Sequence, residues 1–303
     1  MNKGNMILIA DSGGTKADWT LLFSPYPSHW EVLSTFQTQG ITPIHQSSDA
    51  ILTILGQEMV PQLSAFPRAK LANTSVLESS LLSQIDVFFY GSGCTPAQVP
   101  GMKQMMAQFF PAGKIEVHSD LMAAARALCL HEAGIACILG TGANSCLYDG
   151  TDIVQNTPAL GYILGDEGGG AVLGRLFLNA IFKRPDFAAI RDAYLSETRL
   201  TQGDIIDRVY RQPMANRFLA STSLFISAHL DNPLLSGLVV QNFRQFFRSN
   251  IAPYGRQDLP VHFVGSMASH YEVLLQQAAQ AEGYQMGRIM QSPMEGLIAY
   301  HQA

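Results

Sequence analysis

The sequence predicts an α/β protein of two similar halves, the second enlarged by an all-helical insertion. Three observations carry this. The apolar run Met6-Ile7-Leu8-Ile9-Ala10 passes through Asp11-Ser12-Gly13-Gly14-Thr15-Lys16-Ala17-Asp18 into a second strand-like run from Trp19 to Phe23. A short, continuous apolar run bounded by turn residues reads as a strand buried on both faces. The pattern returns as Ala136-Cys137-Ile138-Leu139, then Gly140-Thr141-Gly142-Ala143-Asn144-Ser145, then Cys146-Leu147-Tyr148, with Thr15 and Thr141 lying 126 residues apart. That spacing is far too long for a solenoid and fits two half-molecules facing a shared cleft. Finally, 303 residues at 47% hydrophobic and 14% charged suffice for two sizeable cores and leave no disordered tail.

The first half reads β-β-β-α-β-α-β. A third strand is expected at 30–36, after which Gln39-Gly40-Ile41-Thr42-Pro43 breaks the pattern. Ser48-Asp49 start a helix with Ile51, Leu52, Ile54, Leu55 and Met59 at helical spacing. A strand at 87–90 runs into Gly91-Ser92-Gly93, and a helix over 96–110 carries Met102, Met105, Met106 and Phe109 as a core stripe. A short strand at 114–118 and an alanine-rich helix at 121–131 complete the half.

The second half opens with a strand at 134–139, and Asp149-Gly150 mark a hairpin turn. Residues 158–168 read as a loop and 168–182 as a helix with a small-residue first turn. From about 186 to 254 helices follow one another, broken at Gln212-Pro213 and Asn232-Pro233; this is the insertion. A buried strand at 261–264, a helix at 269–282, a strand at 288–290 and a helix at 293–301 with Pro293 in its first turn end the chain.

Bulk properties exclude several functions. The net charge is −5 with no Lys/Arg cluster, which argues against nucleic acid as a partner. Cys94, Cys129, Cys137 and Cys146 lack zinc spacing and sit among apolar neighbours, so buried thiols are expected. No apolar run approaches the length of a membrane span, and the residues before Asp11 are too few for a signal peptide. A cytoplasmic protein is the expectation. His45, His118, His262 and His270 lack metal spacing and read as structural.

The two turns carry the chemistry. Paired glycines are expected to enter φ > 0 and to let backbone N–H groups approach an anion. Asp11, leaving its strand, can hold a hydrated Mg²⁺, and Thr15 and Lys16 can reach phosphate oxygens. A plain hairpin with a polar tip would look the same. Asp120, where a strand meets a helix, reads either as an N-cap or as a general base, and the two roles are compatible. Asp166 and Glu167 at a helix start equally suit the helix dipole. There is no G-x-x-x-x-G-K-[ST] sequence, and Gly140-Thr141-Gly142 is followed by a strand, which breaks the dinucleotide pattern.

Taken together, the loops Asp11–Lys16 and Leu139–Ser145, Ser119-Asp120, Leu164-Gly165-Asp166-Glu167-Gly168 and Val264-Gly265-Ser266 occur in an order that resembles the actin-like ATPase and sugar kinase superfamily. Within it the chain is similar to the BadF/BadG/BcrA/BcrD ATPase family, which includes N-acetylglucosamine kinases. The resemblance spans essentially the whole chain. It implies two ribonuclease-H-like domains with a cleft between them, at 1–119 with 291–303 and at 120–290, the last helix returning to the first domain.

The resemblance also implies roles. Asp120 would be the catalytic base. ATP would be held by Asp11, Gly13, Gly14, Thr15, Lys16, Gly140, Thr141 and Gly142, with Gly265-Ser266 under the adenosine and Mg²⁺ on Asp11 through water. An aminosugar would meet Thr42, Asp120, Thr141, Ala159, Leu160 and Asp166, with Glu167 a supporting charge. Two departures bear on the sugar: Ala159-Leu160-Gly161 stands where the family usually has Gly-Trp-Gly, and Thr42 where Asn often precedes the proline. The zinc motif of the neighbouring ROK kinases is missing. The expected activity is ATP-dependent phosphorylation of the 6-hydroxyl of an N-acetylated aminosugar, N-acetylglucosamine foremost, with a homodimer left open. The rival within the family is an ATPase activator of a 2-hydroxyacyl-CoA dehydratase, whose iron–sulfur cysteines would fall near Cys129 and Cys137. A non-catalytic nucleotide-binding protein is disfavoured by Asp11 and Asp120.

Overall fold

The computed structural model describes residues 5–26, 29–65 and 82–303, which divide into two compact units, Met1–Leu130 with Pro293–Ala303 and His131–Ser292. Among the described residues, no helix is long and apolar enough to cross a membrane.

Unit 1 is built on a five-stranded sheet of β1 (Asn5–Ser12), β2 (Lys16–Tyr26), β3 (His29–Gln39), β4 (Ile85–Gly91) and β5 (Ile115–Ser119). The strand order is β3-β2-β1-β4-β5, with β1 antiparallel to β2 and parallel to β4. One face of the sheet is covered by α1 (Ser48–Ile54), α2 (Val60–Ser64) and α3 (Val99–Ala107). A wide helical turn over Leu55–Met59 joins α1 to α2. Met102, Met105 and Met106 are buried there against Met6, Leu8, Trp19 and Phe89, so the methionine stripe is core. The other face takes α4 (Asp120–Cys129), in which Ala123, Ala124 and Ala127 are fully buried. Small side chains let a second helix, α14 (Met294–Gln302), approach α4 closely. A Cβ on Gly296 would stand 2.3 Å from the Ala127 carbonyl oxygen.

That return helix is also fastened by polar groups. Arg126 Nη1 donates to the Tyr90 hydroxyl at 2.8 Å, and the hydroxyl lies 2.9 Å from His301 Nε2. Burial, then the nearby Arg126 charge, pushes His301 down to about 4, so its neutral ring accepts the tyrosine proton.

Unit 2 repeats the sheet. Its strands are β6 (Gly134–Leu139), β7 (Ala143–Tyr148), β8 (Ile153–Thr157), β9 (Val261–Val264) and β10 (Met286–Met290). From its own first strand outward the order β8-β7-β6-β9-β10 matches that of unit 1, again with one antiparallel and one parallel neighbour on the first strand. Between β8 and β9 come α5 (Gly161–Leu164), α6 (Gly170–Lys183), α7 (Ala188–Thr198), α8 (Gln202–Tyr210), α9 (Ala215–Ser221), α10 (Ser223–Ala228) and α11 (Pro233–Phe246). The apolar faces of α6 and α11 bury Phe177, Ile181, Val239, Phe243 and Phe246 in one core with Phe263 of β9. Two features differ from the sequence expectation. The loop at 158–168 contains the short α5, and the helix expected at 269–282 is split into α12 (Ser266–His270) and α13 (Glu272–Ala281). The split falls at Tyr271, whose buried hydroxyl donates to the Ser223 carbonyl at 2.7 Å and holds the backbone out of helical register. All four cysteines are buried.

Candidate active site

In unit 1 the hairpin tip Gly13-Gly14-Thr15 joins β1 to β2, closed by Gly13 N–H donating to the Lys16 carbonyl at 3.0 Å. Neither Gly13 nor Gly14 adopts the left-handed conformation expected from the sequence. The steric demand falls on Gly40 instead. A Cβ there would lie 2.3 Å from the Gly13 oxygen and 2.9 Å from the Thr15 nitrogen, and Gly40 N–H donates to the Thr15 carbonyl at 3.1 Å. The next residue is clamped too, since the buried Ser12 hydroxyl donates to the Ile41 carbonyl and accepts from its N–H. The exposed tip is thus backed by a fixed segment that ends at Thr42, whose buried Oγ1 has no hydrogen-bond partner. Lys16 reaches Asp18 at 3.0 Å and is otherwise exposed.

Asp11 ends β1 beside this tip. Burial, then the charges of Asp18 and Asp120, raises its carboxyl to about 7, with Lys16 opposing. A half-buried carboxylate crowded by like charge is short of positive charge, and one carboxylate suits Mg²⁺, which keeps most of its water. The residues fit the metal.

Asp120 begins α4, but the cap is Ser119, whose hydroxyl accepts from Met122 N–H at 3.2 Å. This corrects the capping role allowed for Asp120 and leaves its carboxylate available. It accepts from Leu121 N–H at 2.9 Å. Burial raises it above the usual carboxylate range against this bond. Asp120 lines a cavity of about 360 Å³ with Gly93, Cys94, Thr95, Val99 and Met122.

Unit 2 gathers the remaining predicted residues. The tip Gly140-Thr141-Gly142 joins β6 to β7, and its carbonyls are drawn into the start of α6, with Gly170 N–H donating to Gly140 at 2.8 Å and Ala171 N–H to Thr141 at 2.9 Å. Gly142 is required because a Cβ there would stand 2.7 Å from Asp166 Oδ2. Asp166, itself left-handed at φ 56°, has its carboxylate against Gly142, and burial raises its carboxyl. Gly265 sits at φ 123° with its Cα 's missing side chain aimed at the Leu139 carbonyl, where a Cβ would come within 2.4 Å. Ser266 after it borders a 460 Å³ cavity with Ser223, Leu224, Met267, His270 and Gln291.

Several of these positions escape sequence reading. Asn242 of α11 accepts from Gly168 N–H at 3.1 Å, and Asn250 donates to Glu167 at 3.3 Å, so the helical insertion braces the acidic turn. Gly40 and His270 carry no motif of their own. Glycines at 40, 91 and 93 outside any expected element are the one available signal.

Two sheets of one strand order, each with a glycine-bearing tip between its first two strands, define an actin-like ATPase fold. No protein-family model and no curated protein sequence matches the chain. Among solved structures, a Porphyromonas gingivalis protein named as a candidate N-acetylglucosamine kinase is 44% identical over 98% of both chains, with a TM-score of 0.82. A Chromobacterium violaceum protein of the same designation shares the fold at 17% identity, 98% of both chains and TM-score 0.70. So does a ROK hexokinase of Thermus thermophilus, at 14% identity, 97% of this chain, 96% of that one and TM-score 0.55. The chain belongs to the N-acetylglucosamine kinase-like family of BadF/BadG-type ATPases.

Proposed function

We propose that the protein is an ATP-dependent phosphotransferase acting on the 6-hydroxyl of an N-acetylated aminosugar, N-acetylglucosamine first. The observation that carries this is Asp120: a half-buried carboxylate, relieved of capping by Ser119 and lining a cavity beside the Asp11 tip. The 44% identity to a protein named for N-acetylglucosamine supports the choice of sugar.

In this reading Asp120 takes the proton of the attacking hydroxyl as the new O–P bond forms and the bond to the leaving ADP oxygen breaks. A carboxyl raised by burial is a stronger base than one in water, which suits the role. Asp11 holds Mg²⁺ through water, and the ion supplies charge neutralisation to the phosphates. Gly13, Gly14, Thr15 and Lys16 from unit 1, and Gly140, Thr141 and Gly142 from unit 2, address the phosphates through tips that carry little side-chain bulk. Gly265 and Ser266 border the nucleoside, in the cavity that Leu224 and His270 also line. Asp166 accepts sugar hydroxyls, and Thr42, Thr141, Ala159 and Leu160 shape the acceptor side. The activator reading finds less support, because Cys129 and Cys137 are buried in different units.

The test is ADP release with ATP, Mg²⁺ and a panel of aminosugars. N-Acetylglucosamine should be turned over, and Asp120→Asn should lower kcat by about 10²–10⁴-fold while ATP affinity stays within a few-fold. An Asp120→Asn protein of near-normal turnover would overturn the base assignment.

A further inference from the structure

We propose that Asn242, a buried side chain of the helical insertion, is a positioning residue for Asp166: it fixes the turn from which that carboxylate meets the acceptor. The inference rests on the reading of Asp166 as the residue that accepts sugar hydroxyls.

Asp166 opens a strained turn. Its backbone is left-handed at φ 56°, an uncommon state for a residue with a side chain, and Gly168 is left-handed at φ 83°. Such a conformation persists where its surroundings over-determine it. Within the turn, Gly169 N–H donates to the Asp166 carbonyl at 2.9 Å. From outside it, α11 supplies Asn242, which is 1% exposed. Its Oδ1 accepts from Gly168 N–H at 3.1 Å, and its Nδ2 donates to the Gly169 carbonyl at 3.4 Å. Both ends of one amide are thus spent on adjacent residues of the turn. One helical turn further on, Phe246 backs the same point: a Cβ on Gly168 would come within 2.9 Å of the Phe246 Cβ.

The turn also touches the tip Gly140-Thr141-Gly142. A Cβ on Gly169 would lie 2.8 Å from the Gly142 carbonyl carbon, and one on Gly142 would lie 2.7 Å from Asp166 Oδ2. That tip has its own fastening, because Gly170 N–H and Ala171 N–H at the start of α6 hold the Gly140 and Thr141 carbonyls. Loss of the Asn242 amide should therefore be felt at Asp166 far more than at the tip. It would leave the Gly168 N–H and the Gly169 carbonyl without their side-chain partner in a buried place. The turn could then relax from its left-handed state and carry the Asp166 carboxylate out of line, and a displacement of about 1 Å is enough to cost a positioned group its effect.

Steady-state kinetics with N-acetylglucosamine and ATP test this in Asn242→Leu, Asn242→Ser, Asn242→Asp, Asp166→Ala and the double variant of Asp166→Ala with Asn242→Leu. Asn242→Leu, nearly the same shape, should lower kcat/KM for the sugar about 10–100-fold, chiefly through KM, with KM for ATP within about threefold. If the leucine prevents folding, Asn242→Ser, too short to span both groups, carries the same expectation and replaces it in the double variant. Asn242→Asp, kept protonated by burial, can still accept from Gly168 and donate to Gly169, and should hold the sugar KM within about threefold of the parent. In the Asp166→Ala background the substitution at 242 should cause no further loss, because the group it positions is already gone. Sugar and ATP constants that worsen together overturn the role of Asn242. So do losses that multiply in the double variant, and so does a parental sugar KM in Asn242→Leu beside an impaired Asp166→Ala. An Asp166→Ala protein with normal sugar kinetics overturns the reading of Asp166, and the role of Asn242 with it.

Discussion

At the scale of single residues, Asp11 costs stability at neutral pH, as its proposed role at the metal would explain. Its carboxyl stands at about 7 when folded against 3.8 in the unfolded chain, burial being the largest cause. The folded state thus binds more protons, so the contribution to stability is full below about pH 4 and is lost as pH rises through 7. Asp11→Asn should therefore match the parent in melting temperature near pH 4 and exceed it above pH 7 by about 1–3 kcal/mol of stability. Identical melting curves at high pH would refute the burden placed on this carboxyl. Gly40 makes the opposite case, a residue with no chemistry that the tip cannot do without. In Gly40→Ala the added carbon meets backbone at 2.3 Å, and backbone has little room to yield. ATP kcat/KM should fall at least about tenfold while the sheet of unit 1 persists; a variant with normal ATP kinetics would show that the tip tolerates displacement.

At the scale of elements, the proposed site makes α10 and α5 the places to test specificity. Leu224 of α10 is 74% exposed on the wall of the cavity that reaches Ser266. Leu224→Ala should raise KM for ATP about three- to tenfold, leaving KM for the sugar alone. A change in sugar KM only would move that cavity away from the nucleotide. Leu160→Trp, beside α5, should shift preference among glucosamine, N-acetylglucosamine and N-acetylmuramic acid with ATP parameters unchanged, as kcat/KM for each sugar will show. These elements also mark what the sequence conveys. Runs such as Val261–Val264 and Gly134–Leu139 were legible end to end because a fully buried strand has an unbroken apolar sequence. The glycine tips were legible as sites, yet the reason for their glycines was not. For Gly142 it lies in contact with Asp166, 24 residues further along the chain, and in unit 1 the steric demand falls on Gly40 rather than on the tip itself, which no local pattern encodes. The break at Tyr271 was hidden for the same reason, since a hydroxyl bond to Ser223 overrode good helical spacing.

At the scale of the molecule, the chain leaves unit 1 at Leu130, builds all of unit 2, and returns at Pro293. The returning α14 lies so close to α4 that Gly296→Val must push the helices apart. Such overpacking should cost about 1–3 kcal/mol, lowering the melting of unit 1 while hydrogen exchange of residues 131–292 stays at parental rates. Uniform loss of protection in both units would show that they do not unfold separately. The route of the chain has a consequence for synthesis. A ribosome must add the whole of unit 2, roughly 8–32 s of elongation, before the helix that covers α4 exists. Until then the half that carries Asp120 has Ile7, Ile9 and Leu22 packed against α4 without Leu297 of α14. A nascent chain that stalls before Pro293 can thus complete the half bearing Asp166 but not the one bearing Asp120.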